Sequence, residues 1–267
     1  MNVKRALIAL AAASSLALAG SAAAQLGAPT SSPPPPGMVQ GDGAAFPKGE
    51  YAALNALPDW GGIWFVMRSD PALGPNAQPK LKDEYAERRE AWRAEILAND
   101  GVERRDRSNC SPPGLPRIMQ LAQYPYEFLF TPGRVTVNQE AWMQTRTIWT
   151  DGREHPPREE LDPTFHGHSI GHWEGDTLVA DTIGISDTLE VGEGGSHSDQ
   201  FRLVERIRLV DPDTLENHMT MTDPLAFEEP FEVTVRYRRD RHGALIEFQC
   251  SENDRNPVNE DGETQYL

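Results

Sequence analysis

The stretch FHGHSIGHWEGDTLVADTIGI, residues 165–185, decides how this chain is read. Apolar and polar residues alternate on both sides of Gly175-Asp176, and a two-residue turn with glycine first suits a type II′ hairpin. That turn fixes the pairing as Glu174 with Thr177, His172 with Val179, Ile170 with Asp181 and His168 with Ile183. In this register His166, His168, His172 and Asp181 project from one face of the hairpin. Phe165, Gly167, Ser169, Gly171, Trp173, Leu178 and Ala180 project from the other. A slip of one residue would break the grouping.

The same period of two runs outward from the hairpin. It marks strands at Ile63–Met67, Tyr126–Phe130, Val135–Gln139, Gln144–Trp149, His166–Glu174, Thr177–Ile185, Phe201–Val210, Thr214–Thr222, Phe231–Arg239 and Ala244–Cys250. Strands in meander order remove their exposed edges by closing, so the expected fold is all-β, a single antiparallel meander barrel of about 8–10 strands. Two strands also declare their inner faces. Phe201, Leu203, Glu205, Ile207 and Leu209 alternate with Arg202, Arg206 and Arg208, and Phe231, Val233, Val235, Tyr237 and Arg239 alternate with Glu232, Thr234, Arg236 and Arg238. One amphipathic surface helix precedes the barrel, over Pro79–Ala98, with Leu81, Tyr85, Trp92 and Ile96 as its apolar stripe.

The ends of the chain have a different character. Residues 1–24 carry Lys4 and Arg5, an apolar run to Ala19 and the small-residue site Ala22-Ala23-Ala24, the three parts of a secretory signal. Residues 25–57, with Pro33-Pro34-Pro35-Pro36, read as a disordered Pro/Gly/Ser-rich tether. The barrel domain is expected over 58–254 and an acidic tail over 255–267. The formal net charge is −16, and loss of a leader holding Lys4, Arg5 and no acid takes it to −18. Such acidity excludes nucleic acid and anionic lipid as natural partners, and no second apolar run supports membrane insertion after cleavage. The expected location is the periplasm, or the medium after secretion. There, the only two cysteines, Cys110 and Cys250, are expected to form a disulfide. The loop it closes, of about 140 residues, would add up to about 5 kcal/mol of stability.

Asp59-Trp60-Gly61-Gly62-Ile63-Trp64 looks like the G-x-W opening of lipocalin-like barrels, where the tryptophan plugs one end. Together with Gly171-His172-Trp173-Glu174-Gly175-Asp176-Thr177-Leu178-Val179 and Cys250-Ser251-Glu252-Asn253, it resembles a family of exported bacterial lipocalin-like β-barrel proteins, over Pro58 to Asp254. The resemblance implies a barrel and export. It brings no activity, so no residue takes a role from it.

The candidate chemistry comes from the residues themselves. A carboxylate beside an imidazole can hold one tautomer and stabilise the imidazolium, so His168, His172 and Asp181, with His197 from the glycine-rich loop 192–199, are candidate acid–base residues. Glu205 stands on an apolar face and requires a partner or a proton. Arg134, Arg146 or Arg239 would serve as a structural partner, and a carboxyl tuned for proton transfer is the alternative. Sharing of one cavity by Glu205 and at least one of His168, His172 and His197 would make an acid–base pair. Tyr126, Arg146, Tyr237 and Arg239 are candidate substrate-binding residues. A second reading places zinc on His166, His168 and His172, although no other metal-ligand spacing supports it. Ser196 or Ser198 beside His197 and Asp199 lacks the motif of a serine hydrolase, and no organic cofactor is indicated. The expected function is a periplasmic barrel enzyme acting on a small apolar or aromatic molecule by His/carboxylate chemistry, as a lyase, isomerase or hydrolase. The alternatives are a non-catalytic ligand carrier of lipocalin type, a His-ligated metal enzyme, or an assembly partner with a filled barrel.

Overall fold

The computed structural model describes residues 49–67, 78–101 and 110–249. The expected leader, most of the tether, the acidic tail and Cys250, the expected partner of Cys110, lie outside the described residues.

Nine strands close into a barrel in sequence order: Ile63–Val66 (β1), Tyr126–Thr131 (β2), Arg134–Gln139 (β3), Gln144–Trp149 (β4), His168–Glu174 (β5), Thr177–Ile183 (β6), Arg202–Asp211 (β7), Thr214–Thr222 (β8) and Phe231–Asp240 (β9). The β5–β6 hairpin has the register its turn dictates, with Glu174 on Thr177, His172 on Val179 and His168 on Ile183. The inner faces of β7 and β9 follow the alternation, and Leu203, Glu205, Ile207, Val233, Val235 and Tyr237 are buried. Burial of these side chains with those of β1 to β4 and β8 forms one continuous core.

Three expectations are corrected. The barrel is mixed, because β4 and β5 run parallel, through only two residue pairs, Ile148 with Ser169 and Trp149 with Ile170. A short turn would have reversed the chain. The long connection over residues 150–167 instead carries it back along the wall to start β5 at the end where β4 began. Secondly, residues 244–249 form no strand, because β1 has already taken the free edge of β9 in four pairs, Ile63 to Val66 with Asp240 to Tyr237. This segment lies on the outside, with the Phe248 ring 5.4 Å from Tyr124 and 5.7 Å from Trp142. Thirdly, the helix is Asp83–Ala98 (α1), and its buried residue is Tyr85. Leu81 stands before it, held extended by a bridge to Phe227, and Trp92 packs on Gly194.

The two ends of the barrel differ. Short turns close the first, where Trp60 meets Phe128, Phe130 and Trp173 at ring centroid distances of 5.3–5.4 Å. Trp64 donates its indole N–H to the Trp60 carbonyl at 3.0 Å. Arg239 lies 4.6 Å over the Trp64 ring and donates to Asp59. Long connections cover the second end. Here the turn Arg117–Gln120 carries Ile118 and Met119 into the core, and its carbonyls are taken by side chains from the barrel wall.

Candidate functional site

Between these two apolar ends lies a polar belt. Arg146 of β4, 2% exposed, and Glu205 of β7, 0% exposed, form a buried ion pair through Nη2 and Oε2. The other Glu205 oxygen accepts from Asn217 Nδ2 at 2.8 Å. Arg146 Nη2 also donates to Thr182 Oγ1 at 3.0 Å, and its Nε and Nη2 each reach Ser169 Oγ at 3.2 Å. Ser169 and Thr182 are themselves bonded at 2.8 Å. Five strands therefore meet on one guanidinium–carboxylate pair, and sequence alternation explains it. Arg146 shares the inner face of β4 with Ile148, and Asn217 shares that of β8 with Leu215 and Met219.

Two tyrosines continue the belt toward the second end. Tyr126 donates to the Ile118 carbonyl at 2.7 Å and accepts from the Leu121 amide at 3.0 Å. Gln139 Nε2 donates to the same Ile118 carbonyl at 2.8 Å. Tyr237 donates to the Met119 carbonyl at 2.7 Å. Burial, with the nearby Tyr126 and Glu205 adding to it, raises the Tyr237 phenol well above its ordinary value, and burial likewise raises that of Tyr126. Both hydroxyls stay protonated and act as hydrogen-bond donors.

The belt is not saturated. Arg146 Nη1, Asn217 Oδ1, Gln139 Oε1 and His166 Nδ1 are buried without a hydrogen-bond partner. Buried polar atoms are nearly always paired, so these four are the points at which a water or another small polar molecule would complete the network. His166 reaches the belt through a backbone device. Gly167 has φ +60°, and a Cβ there would lie 2.4 Å from the Ile183 carbonyl oxygen. This left-handed residue interrupts the alternation before β5 begins, so His166 turns to Gln144, with Nε2 3.2 Å from its Oε1. Burial, helped by the Arg146 charge, lowers the His166 pKa to about 4, so at neutral pH the ring is uncharged.

The other histidines are distributed differently. His168, His172 and Asp181 lie on the outer face of the β5–β6 hairpin, while Ser169 and Ala180 fill the inner one. Asp181 is held by Arg202 at 2.8 and 2.5 Å. His172 is exposed and bonded to Glu174 at 3.1 Å. His197 is buried at the second end, its Nδ1 2.9 Å from the Ser198 carbonyl and its ring 4.4 Å from that of Phe201. Ser198 and Asp223 bond to each other at 2.8 Å, and Asp223 also caps the amides of Leu225 and Ala226. The structure thus brings Glu205, Arg146, Tyr126 and Tyr237 together, and leaves Arg239 at the first end. The residue that meets His168 is His155, from the 150–167 connection, with 2.8 Å between their Nδ1 atoms. Among the described residues no group of three His, Cys, Asp or Glu side chains is placed to hold a metal ion, and His166 is turned away from His168 and His172.

Outside the belt, a groove of about 560 Å³ at the first end is lined mainly by Leu54, Leu57, Pro58, Trp60, Phe128 and Phe130. Its volume falls in the range of small-molecule sites.

Models of protein families give no match to this chain, and neither do curated proteins.

Two members of the belt could have been found in the sequence. Asn217 interrupts the inner stripe Leu215, Met219, Met221 just as Glu205 interrupts its own. Gln139 follows Val135 and Val137 in the same way. His155 carried no such signal, because it lies in a connection with no period.

Proposed function

We propose that this is an exported, small-molecule-binding barrel whose ligand is uncharged and carries both a hydrogen-bond acceptor and a donor. The observation that carries this is the unpartnered state of Arg146 Nη1, Asn217 Oδ1 and Gln139 Oε1 inside the lumen. Glu205 already neutralises the Arg146 guanidinium, so a charged ligand would leave a net charge buried, at a cost of several kcal/mol. A neutral group such as a carboxamide supplies an acceptor for Nη1 and donors for the two amide oxygens. Val137, Met219 and Val235 stand directly across the strands from Arg146, Glu205 and Asn217, and give the ligand body an apolar wall. The lipocalin-like resemblance is in keeping with a carrier, as is the burial of Trp64 of the Gly62-x-Trp64 motif beneath Arg239. A periplasmic site of action follows from the leader-like residues 1–24.

The test is a thermal shift series with aromatic carboxamides and the matching carboxylic acids. The carboxamides are expected to stabilise the protein, by about 2.7 kcal/mol at a hundredfold excess over Kd. The acids are expected to give no shift, and Arg146→Met is expected to abolish the response. Stabilisation by the acids, or by no member of the series, rejects the reading.

A catalytic reading rests on His166, whose uncharged ring presents a bare Nδ1 close to Arg146 if its Nε2–H donates to Gln144. That nitrogen could accept a proton from a bound carbonyl compound, in the manner of a lyase, isomerase or hydrolase. Turnover of a bound carboxamide or ketone by the wild type and not by His166→Gln would establish it. Binding without product would leave the carrier.

A further inference from the structure

Access to the belt is the question that a closed barrel poses. Eight of its nine strand junctions are antiparallel, while β4 and β5 meet in parallel through two residue pairs, as few as join β1 and β2, so it is the parallel pairing and the groups around it that set this junction apart. Behind that junction stands the belt itself, since Arg146 comes from β4 and Ser169 from β5. The residues of β4 that extend past β5, Gln144 to Arg146, face His166 instead of a strand partner.

The outside of the same junction is crossed by the 150–167 connection, and two histidines tie it down. His155 Nδ1 and His168 Nδ1 are 2.8 Å apart, and two bare lone pairs at that distance repel, so one of the nitrogens carries the proton. His155 Nε2 faces Asp181 Oδ2 at 3.8 Å, which favours a proton on Nε2. Nδ1 of His155 is then the acceptor and His168 the donor. A first added proton is tolerated, because a charged His155 still makes one N–H···N contact and lies beside the Asp181 carboxylate. A second is not, because two N–H groups would then point at each other.

We propose that the β4–β5 junction is a side port to the lumen, latched by the hydrogen bond between His155 and His168 and released when both rings carry a proton. This rests on the luminal binding reading and adds its regulation. The charged groups around the latch come from every neighbouring element: Asp181 on β6, Arg202 on β7, and Arg153 and Arg158 on the connection. Arg202 is committed to Asp181, and Arg153 is bonded to Asp151 and stacked at 3.7 Å over Trp149. The three arginines oppose a second positive charge on the pair and only Asp181 favours one. Burial acts in the same direction, lowering both imidazoles from their ordinary value. The latch is therefore closed at neutral pH and opens in acid. The junctions on either side are retained, since β3–β4 and β5–β6 pair along six and seven residues.

The test is amide hydrogen exchange of the mature protein, corrected for intrinsic rates, between about pH 7 and pH 4.5. Amides of residues 145–149 and 168–171 are expected to lose protection by about tenfold or more relative to β8–β9 on acidification. In His155→Ala the same amides should exchange fast at both pH values, with circular dichroism showing that the barrel persists. Uniform protection across the pH range would overturn the latch, and so would a pH response retained in His155→Ala, which would transfer it to His166. Nitrogen chemical shifts of labelled histidine give a check that needs no variant: the pair should titrate in two coupled steps, and independent titration of the two rings refutes the proposal. None of these measurements involves a ligand, so the port can fail while luminal binding stands, and the reverse.

Discussion

Arg146 and Glu205 face each other across the lumen from β4 and β7, and no solvent reaches either side chain to any useful extent. The pair answers the question that an acid on an apolar stripe raises, namely what compensates its burial. It also limits Glu205 as a catalytic carboxyl, because both oxygens are occupied, by Arg146 and by Asn217.

Removing one charge should therefore cost more than removing both. Glu205→Gln is expected to destabilise the protein by about 3–5 kcal/mol, since it strands a buried guanidinium. The double variant Arg146→Met with Glu205→Leu should recover most of that loss. Urea denaturation midpoints decide the matter, and a double variant less stable than the single one would contradict it.

His166 should make stability depend on pH. Its folded pKa of about 4 lies below the ordinary 6.5, so the fold favours the neutral ring. Its contribution is fully present above about pH 6.5, falls as the pH drops toward 4, and amounts to up to about 3 kcal/mol. His166→Gln should flatten the stability curve across that interval, as measured by denaturation at successive pH values.

Gly167 and Gly152 form a matched pair of probes. Both have positive φ, +60° and +84°, but a Cβ at Gly167 meets the Ile183 carbonyl while one at Gly152 meets nothing within 4 Å. Alanine at 152 should cost about 1 kcal/mol from backbone strain alone. Alanine at 167 should cost clearly more, and should also displace His166, which its nitrogen shifts would report. Equal costs would show that His166 does not depend on this turn.

The cysteines offer a chemical check that needs no variant. If the chain is exported and Cys110 and Cys250 are joined, thiol titration of the denatured, unreduced protein should find no free thiol. Reduction should then lower stability by up to about 5 kcal/mol, as expected for a long closed loop. Two titratable thiols in oxidised material would refute the bridge.

The strands were legible because a period of two needs only neighbouring residues. Phe201 to Leu209 and Phe231 to Arg239 announce which side chains are buried, and Glu205 announces itself as the exception. The β5–β6 register was legible for a similar reason, since Gly175-Asp176 fixes it locally. The strand expected over 244–250 was misread because its composition suits pairing, whereas the competition of β1 for the edge of β9 is a long-range fact.

By itself, the sequence determined local periodicity: a β-barrel, its hairpins, the inner faces of its long strands and a buried carboxylate in need of a partner. Only the tertiary structure decided which of three arginines that partner is, and that the histidine face of the hairpin looks outward while His166 looks inward. It also decided that β4 and β5 run parallel, with His155 folded over their junction. The physical reason is range. Alternation and turn chemistry act over a few residues, whereas the Arg146–Glu205 and His155–His168 contacts form only when barrel closure sets the strands side by side.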